Sequence, residues 1–229
     1  MRAPKVYLSP AMHMANPCVY PREDGQQCYE ALENNEYIDI LEPVLNRCGI
    51  ETMRGYRRTP MSNENGNDIM ERNVAESNNW GADVHYVSHT NGSGDGKGNA
   101  RGCYPMYYTY SSKGKALGEI MVKYRKEIYP KTVKLVANAN WYELRVPNAV
   151  SYYEEHAFHD NMEDATWFHT HMADIAESAA KGLCEWFRTQ GFNVSYTAPA
   201  EEVPTTPGEL LVKIMNNKNG KGGTWEIVK

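Results

Sequence analysis

The chain has no run of about 18 apolar residues, the length a membrane-spanning helix needs, so membrane insertion is not expected. It also lacks a long basic tract. With a net charge of −5, a surface that tracks phosphates is not expected, nor is nucleic acid as a partner. The short cluster Arg54, Arg57 and Arg58 reads as a solvated loop. The start, Met1-Arg2-Ala3-Pro4-Lys5-Val6-Tyr7-Leu8, lacks the blocks of a secretory signal and runs into an expected strand. The chain is therefore expected to be made in the cytoplasm and to need another route to any target outside. Phenylalanine is scarce, 4 residues against 16 tyrosines, so aromatic area comes mostly with a hydroxyl. That suits a sugar- or peptide-binding cleft and a core with polar handles equally. The cysteines, at positions 18, 28, 48, 103 and 184, include no Cys-x-x-Cys pair. Their odd number and spacing argue for reduced thiols rather than a disulfide frame or a thiolate metal site.

What is present alternates between two periodicities. Lys5–Ser9 reads as a short buried strand. From Gln27 to Cys48 the residues Leu32, Tyr37, Ile40, Leu41, Val44 and Leu45 recur at helical spacing, with a kink or break expected at Pro43 and a stop at Gly49. Ile50–Met53 and Ala82–Ser88 read as strands, with a helical stretch around Ile69–Ala75 and a loop at Asn78–Asn79 between them. A glycine-rich loop, 92–102, leads to an aromatic strand at Cys103–Tyr110. A helix over Gly114–Ile128, strands at Val133–Ala137 and Ala149–Tyr153, and one long helix over Asp164–Gln190 complete the pattern. Strands alternating with helices predict an α/β fold: a single domain over 1–192, with a mostly parallel twisted sheet flanked by helices. Residues 193–208, with Pro199, Pro204 and Pro207 among acids and threonines, read as a linker. Residues 209–229 then form a short tail or the start of a truncated module.

In such sheets, functional groups gather at the carboxyl ends of the strands. His13 follows the first strand, Glu30 opens the first long helix, and His89 ends the third expected strand. Two imidazoles and a carboxylate with a fourth position open are the ligand set of a catalytic zinc site. No close-spaced motif such as His-Glu-x-x-His is present, and spacing alone equally allows two loop or core histidines and a surface acid. Glu154 and Glu155, late in another expected strand, offer a second carboxylate for proton transfer beside a metal, or two surface charges.

Four blocks, in order, carry a resemblance. They are Val6-Tyr7-Leu8-Ser9-Pro10-Ala11-Met12-His13; Glu30 followed by Gly49-Ile50-Glu51; the strand to Ser88-His89-Thr90-Asn91-Gly92; and Glu155-His156-Ala157-Phe158-His159-Asp160-Asn161 with Glu163 and Asp164 beyond. Over roughly residues 5–188 the chain resembles the zinc-dependent N-acetylmuramoyl-L-alanine amidases of the type 3 family, found in phage endolysins and bacterial autolysins. The resemblance implies a zinc site at the strand carboxyl ends, held by His13, Glu30 and His89, with Glu155 as the catalytic acid/base. It implies peptidoglycan as the partner and the amide between N-acetylmuramic acid and L-alanine as the bond cut, after release to the wall. Two departures stand out. The family's Asp-x-Gly-His at the first ligand is Pro10-Ala11-Met12-His13 here, and the glycine before the last block's phenylalanine is Ala157. They leave two further readings open: a non-catalytic wall-binding module with a degenerate metal site, and a zinc peptidase cutting another peptidoglycan bond.

Other constellations read more plainly. His85 shares a strand face with His89 and is expected in the core or behind the ligands. His169 and His171 point to different sides of a helix and should not share a metal. His156, beside Glu155, is a weaker candidate for the cleft border. The loop Gly92-Ser93-Gly94-Asp95-Gly96-Lys97-Gly98 lacks the helix a phosphate loop requires. Met12-His13-Met14 offers too few thioethers for copper.

Overall fold

A computed structural model describes residues 2–55, 65–94 and 97–200. In chain order the elements are β1 (Lys5–Pro10), α1 (Glu30–Arg47), β2 (Glu51–Arg54), α2 (Gly66–Trp80), β3 (Val84–Asn91), β4 (Tyr104–Tyr108), α3 (Ser112–Ile128), β5 (Val136–Asn138), α4 (Tyr142–Arg145), β6 (Val150–Phe158), α5 (Met162–Thr170) and α6 (Met172–Thr189). The six strands make one sheet in the order β2-β1-β3-β6-β4-β5. Pairing is parallel from β2 through β6, and β4 joins β6 antiparallel, so the expected mostly parallel α/β sheet is what forms. Among the described residues no helix is long and apolar enough to cross a membrane.

Alternation along the strands separates two faces. Val84, Tyr86 and Tyr152 enter the main core with Leu41, Leu45, Ile175, Ala179 and Leu183 from α1 and α6. Val87 and Tyr153 enter a smaller cluster on the other face with Met106 and Leu144. Close packing of α3 on α6 depends on Gly182, where a Cβ would meet the Met121 sulfur at 2.5 Å.

The order of strands creates a switch point. From β1 the chain crosses to β2 on one side, and from β2 it returns to β3 on the other. A crevice therefore opens at the carboxyl ends of β1 and β3, the usual ligand position in open α/β sheets. His13 lies just past β1, and His89 stands near the end of β3.

Several expectations need correction. Helix α1 runs unbroken through Pro43, which sits on its exposed side, where water can serve the carbonyl left without a donor. Helix α2 continues through Asn78 and Asn79 and ends at left-handed Gly81. The expected single helix over 164–190 is two. His171 leaves helical geometry at φ −117° and ψ 15°. There the Thr170 hydroxyl donates to Thr166 O at 2.8 Å and the His171 ring lies 2.9 Å from Trp167 O, so side chains compete for helix carbonyls. Arg54 is not solvated: it is buried, paired with Asp39 and donating to the Asn35 side chain at 2.8 Å. Arg57 and Arg58 lie outside the described residues. Packing of the main body continues to Thr197, whose carbonyl accepts from Arg47 at 2.9 Å. The expected linker beyond position 200 and the tail at 209–229 lie outside the described residues.

Candidate metal and catalytic site

Glu30 is the first residue of α1 and is 3% exposed. Its carboxylate is fully engaged. Oε1 accepts from the Thr90 backbone N–H and lies against His89 Nδ1, both at 2.9 Å, and Oε2 accepts from the Asn16 carboxamide at 2.6 Å. Burial alone would raise its pKa. The His89 charge and these bonds outweigh burial and hold the carboxyl down at about 2. Burial would likewise lower His89. The Glu30 carboxylate, assisted by Glu155 and Glu143, raises it instead to about 9. The Tyr153 ring stacks on the His89 imidazole with centroids 4.9 Å apart.

Glu155 faces His89 across the parallel pairing of β3 and β6. It is 6% exposed, and its Oε2 has no hydrogen-bond partner among the described residues. Burial raises its pKa to about 8; His89 opposes the shift and Glu30 adds to it. A buried carboxyl poised near neutrality, with one oxygen uncommitted, suits proton transfer. Asn16, Glu30, His89, Trp141, Tyr153 and Glu155 line one cavity of about 550 Å³.

A neighbouring cavity of about 350 Å³ is lined by His13, Glu30, His89 and Glu143 among others. Three of the four expected site residues thus meet in this cavity, and Glu155 joins Glu30 and His89 in the first. His13 is exposed, on the loop after β1. Its ring is not within 4.8 Å of both other donors: among the described residues, the one set of three that close is Glu33, Glu36 and His169. That set is closed by Arg22, which bonds Glu33 at 2.9 Å and Glu36 at 2.8 Å, so a cation already fills it. The donors at Glu30 and His89 fit a metal ion. One carboxylate oxygen and one imidazole nitrogen already stand together, a second imidazole lines the same cavity, and an unpaired carboxyl oxygen lies close by.

Sequence reasoning missed Glu143, Asn16 and Trp141. Glu143, on the one-turn helix α4, is buried, accepts from Ser9 Oγ at 2.5 Å and contacts His85 Nε2 at 3.2 Å. Its signal was absent because α4 is too short to show periodicity. His85 is fully buried behind the site, as expected. His156 is not at the cleft border: it lies in the core, stacked on Phe168, with Ser88 Oγ 2.9 Å from its Nε2. His159 takes the border position instead, lining the larger cavity. His169 pairs with Glu33 at 2.8 Å, and His171 stacks on Trp167.

No family model matches the chain, and no curated protein does. Solved structures do. An N-acetylmuramoyl-L-alanine amidase from Clostridium difficile 630 superposes with a TM-score of 0.70 at 17% identity, covering 83% of this chain and 100% of that one. The catalytic domain of CwlV, an N-acetylmuramoyl-L-alanine amidase from Bacillus (Paenibacillus) polymyxa var. colistinus, gives 0.63 at 19% identity over 81% and 98%. The catalytic domain of the CD27L endolysin targeting Clostridia difficile gives 0.63 at 17% identity over 79% and 97%. At these identities the likeness establishes that the chain has the α/β fold of such amidase catalytic domains.

Proposed function

We propose that the chain is a zinc-dependent N-acetylmuramoyl-L-alanine amidase that acts on peptidoglycan of the cell wall. The observation that carries this reading is Glu155, a buried carboxyl with a free oxygen in the same cavity as the Glu30–His89 pair. The fold shared with amidase catalytic domains and the order of the four sequence blocks support it.

Glu30 and His89 would hold the metal, with His13 as the third ligand from the loop after β1. Bound there, zinc supplies Lewis acidity to a water and to the scissile carbonyl. Asn16 and the Thr90 N–H fix the orientation of the Glu30 carboxylate. Such supporting bonds typically hold ligands in place and tune metal affinity. Glu155 takes the proton of the attacking water at Oε2 and returns it to the leaving L-alanine nitrogen. Trp141 and Tyr153 pack edge to face, with centroids 4.7 Å apart, and wall the cleft beside Glu155. The products are the glycan strand and the free stem peptide.

Mass spectrometry of digested peptidoglycan tests the reaction. A new L-alanine amino terminus is expected. New termini elsewhere in the stem or cross-link overturn the amidase reading in favour of a peptidase. Metal analysis of the purified chain should give about one zinc per molecule; a metal-free, inactive chain that still binds walls would make it a binding module.

A further inference from the structure

The loop between β1 and α1 folds back on itself. Pro17 bridges Tyr29 in antiparallel fashion. Two backbone bonds flank that bridge, Glu30 N–H to Asn16 O and Cys18 N–H to Cys28 O, each 2.9 Å. Cys18 therefore stands directly opposite Cys28. The Gln27 carboxamide ties the same rung, donating to Cys18 O at 3.1 Å and to Cys28 O at 2.9 Å. Both cysteines are buried, 6% and 1% exposed, and both thiols are free. Directly opposed residues of an antiparallel ladder have Cα atoms about 4.5–5.5 Å apart. A disulfide spans roughly 4.4–6.8 Å between Cα atoms.

We propose that Cys18 and Cys28 are a disulfide site, closed by exchange with a small-molecule disulfide in an oxidising environment. One protein thiolate attacks the small disulfide, forms a mixed disulfide and displaces one small thiol. The second protein thiolate attacks the mixed disulfide at the protein sulfur and displaces the other small thiol. The protein loses two electrons and two thiol protons; the small disulfide gains both and leaves as two thiols. Because both sulfurs are shielded, exchange proceeds through opening of the loop, whose Val19 is 40% exposed.

The bond acts on the neighbouring site through the ladder. Asn16, which holds Glu30 Oε2 at 2.6 Å, occupies the other rung. Closing the ring from 18 to 28 prevents the ladder from unzipping and holds Asn16 against the start of α1. Cys48 and Cys184 are also neighbours, but they belong to the end of α1 and the middle of α6 and have no backbone pairing to hold their Cα atoms in register. The Cys48 sulfur is also already an acceptor for Thr197 N–H at 3.4 Å.

The test uses the full chain, incubated either with oxidised glutathione or with a dithiol reductant, then alkylated, digested and mapped by mass. A cross-linked pair of peptides containing Cys18 and Cys28, two hydrogens lighter than the reduced pair, is expected after oxidation. The melting temperature should rise by roughly 5–10 °C over the reduced chain, as for a ring of this size in a domain of this length. Cys18→Ser should abolish that rise and Cys184→Ser should leave it. Recovery of both cysteines alkylated after oxidation overturns the proposal, as does cross-linking only at Cys48–Cys184 or a rise that persists in Cys18→Ser. Should Cys18→Ser fail to fold, the map of the unmodified chain decides alone.

Discussion

Glu154 and Glu155 are consecutive on β6, both buried, and opposite in character. Glu154 points into the main core. There it pairs with Arg125 at 2.7 Å, accepts from the Tyr86 hydroxyl at 3.0 Å and from the Cys103 thiol at 3.3 Å. Burial would raise its pKa, but Arg125, with His156, holds it well below the ordinary carboxylate range. Glu155 points into the cleft, keeps an unpartnered oxygen, and is pushed up to about 8. One residue of strand register thus separates a carboxylate paired in the core from one that faces the cleft. Burial by itself does not decide a carboxyl's role; the presence or absence of a committed cation does.

The comparison breaks most visibly in activity. Glu155→Gln should lower peptidoglycan hydrolysis about 10²–10⁴-fold, the usual contribution of a general acid/base, and leave the fold intact. Wall lysis at the original rate would remove Glu155 from the mechanism. In the core the expected loss is of stability instead. Glu154→Gln leaves Arg125 buried without its counter-charge, and a cost of about 3–5 kcal/mol is expected from chemical denaturation. Replacing both, as Arg125→Met with Glu154→Leu, should cost less than either single change; a larger cost would mean the pair itself drives folding.

The two carboxyls also bend stability in opposite directions with pH. Glu154 is depressed, so its contribution is present above the ordinary value of 4.5 and lost as pH falls below it. Glu155 is raised from 4.5 to about 8, so its contribution is full below pH 4.5 and is lost as pH rises through 8. Melting temperatures of the metal-free chain should therefore fall at both ends, and Glu155→Gln should shrink the alkaline limb, to which His89, raised to about 9, also contributes, and leave the acid limb unchanged. A limb unchanged in that variant would assign it to another group. The smallest effect is expected at the support of the site: Asn16→Ala should weaken metal affinity about 10–100-fold, measured by competition with a chromogenic chelator.

The first helix and the central strands β1, β3 and β6 were readable because each carries a sustained apolar pattern. His89 was readable as a candidate because it ends a strand pattern, and Glu30 through its block, by its distance to Gly49. His13 was placed by its block, and the structure puts it on the rim of the shared cavity rather than beside the other two donors. Helix α4 was hidden by its length of 4 residues, and Glu143 and Trp141 with it. The division of α5 from α6 was hidden too, since Phe168, Met172 and Ile175 keep helical spacing across His171 while side-chain bonds interrupt the backbone. Arg54 looked like part of a charged loop because its partners, Asn35 and Asp39, lie on α1, out of view of any local window.

The switch point between β1 and β3 has a consequence in time. The pairing Val6–Val84 joins residues far apart in the chain, and Val84–Val150 does so again. Neither half of the cleft exists in a nascent chain until the later strand docks, and such long-range parallel pairings form slowly. A ribosome must release β6 before Glu155 can meet His89. Every shorter translation product, whatever else it folds into, is chemically silent in the proposed reaction.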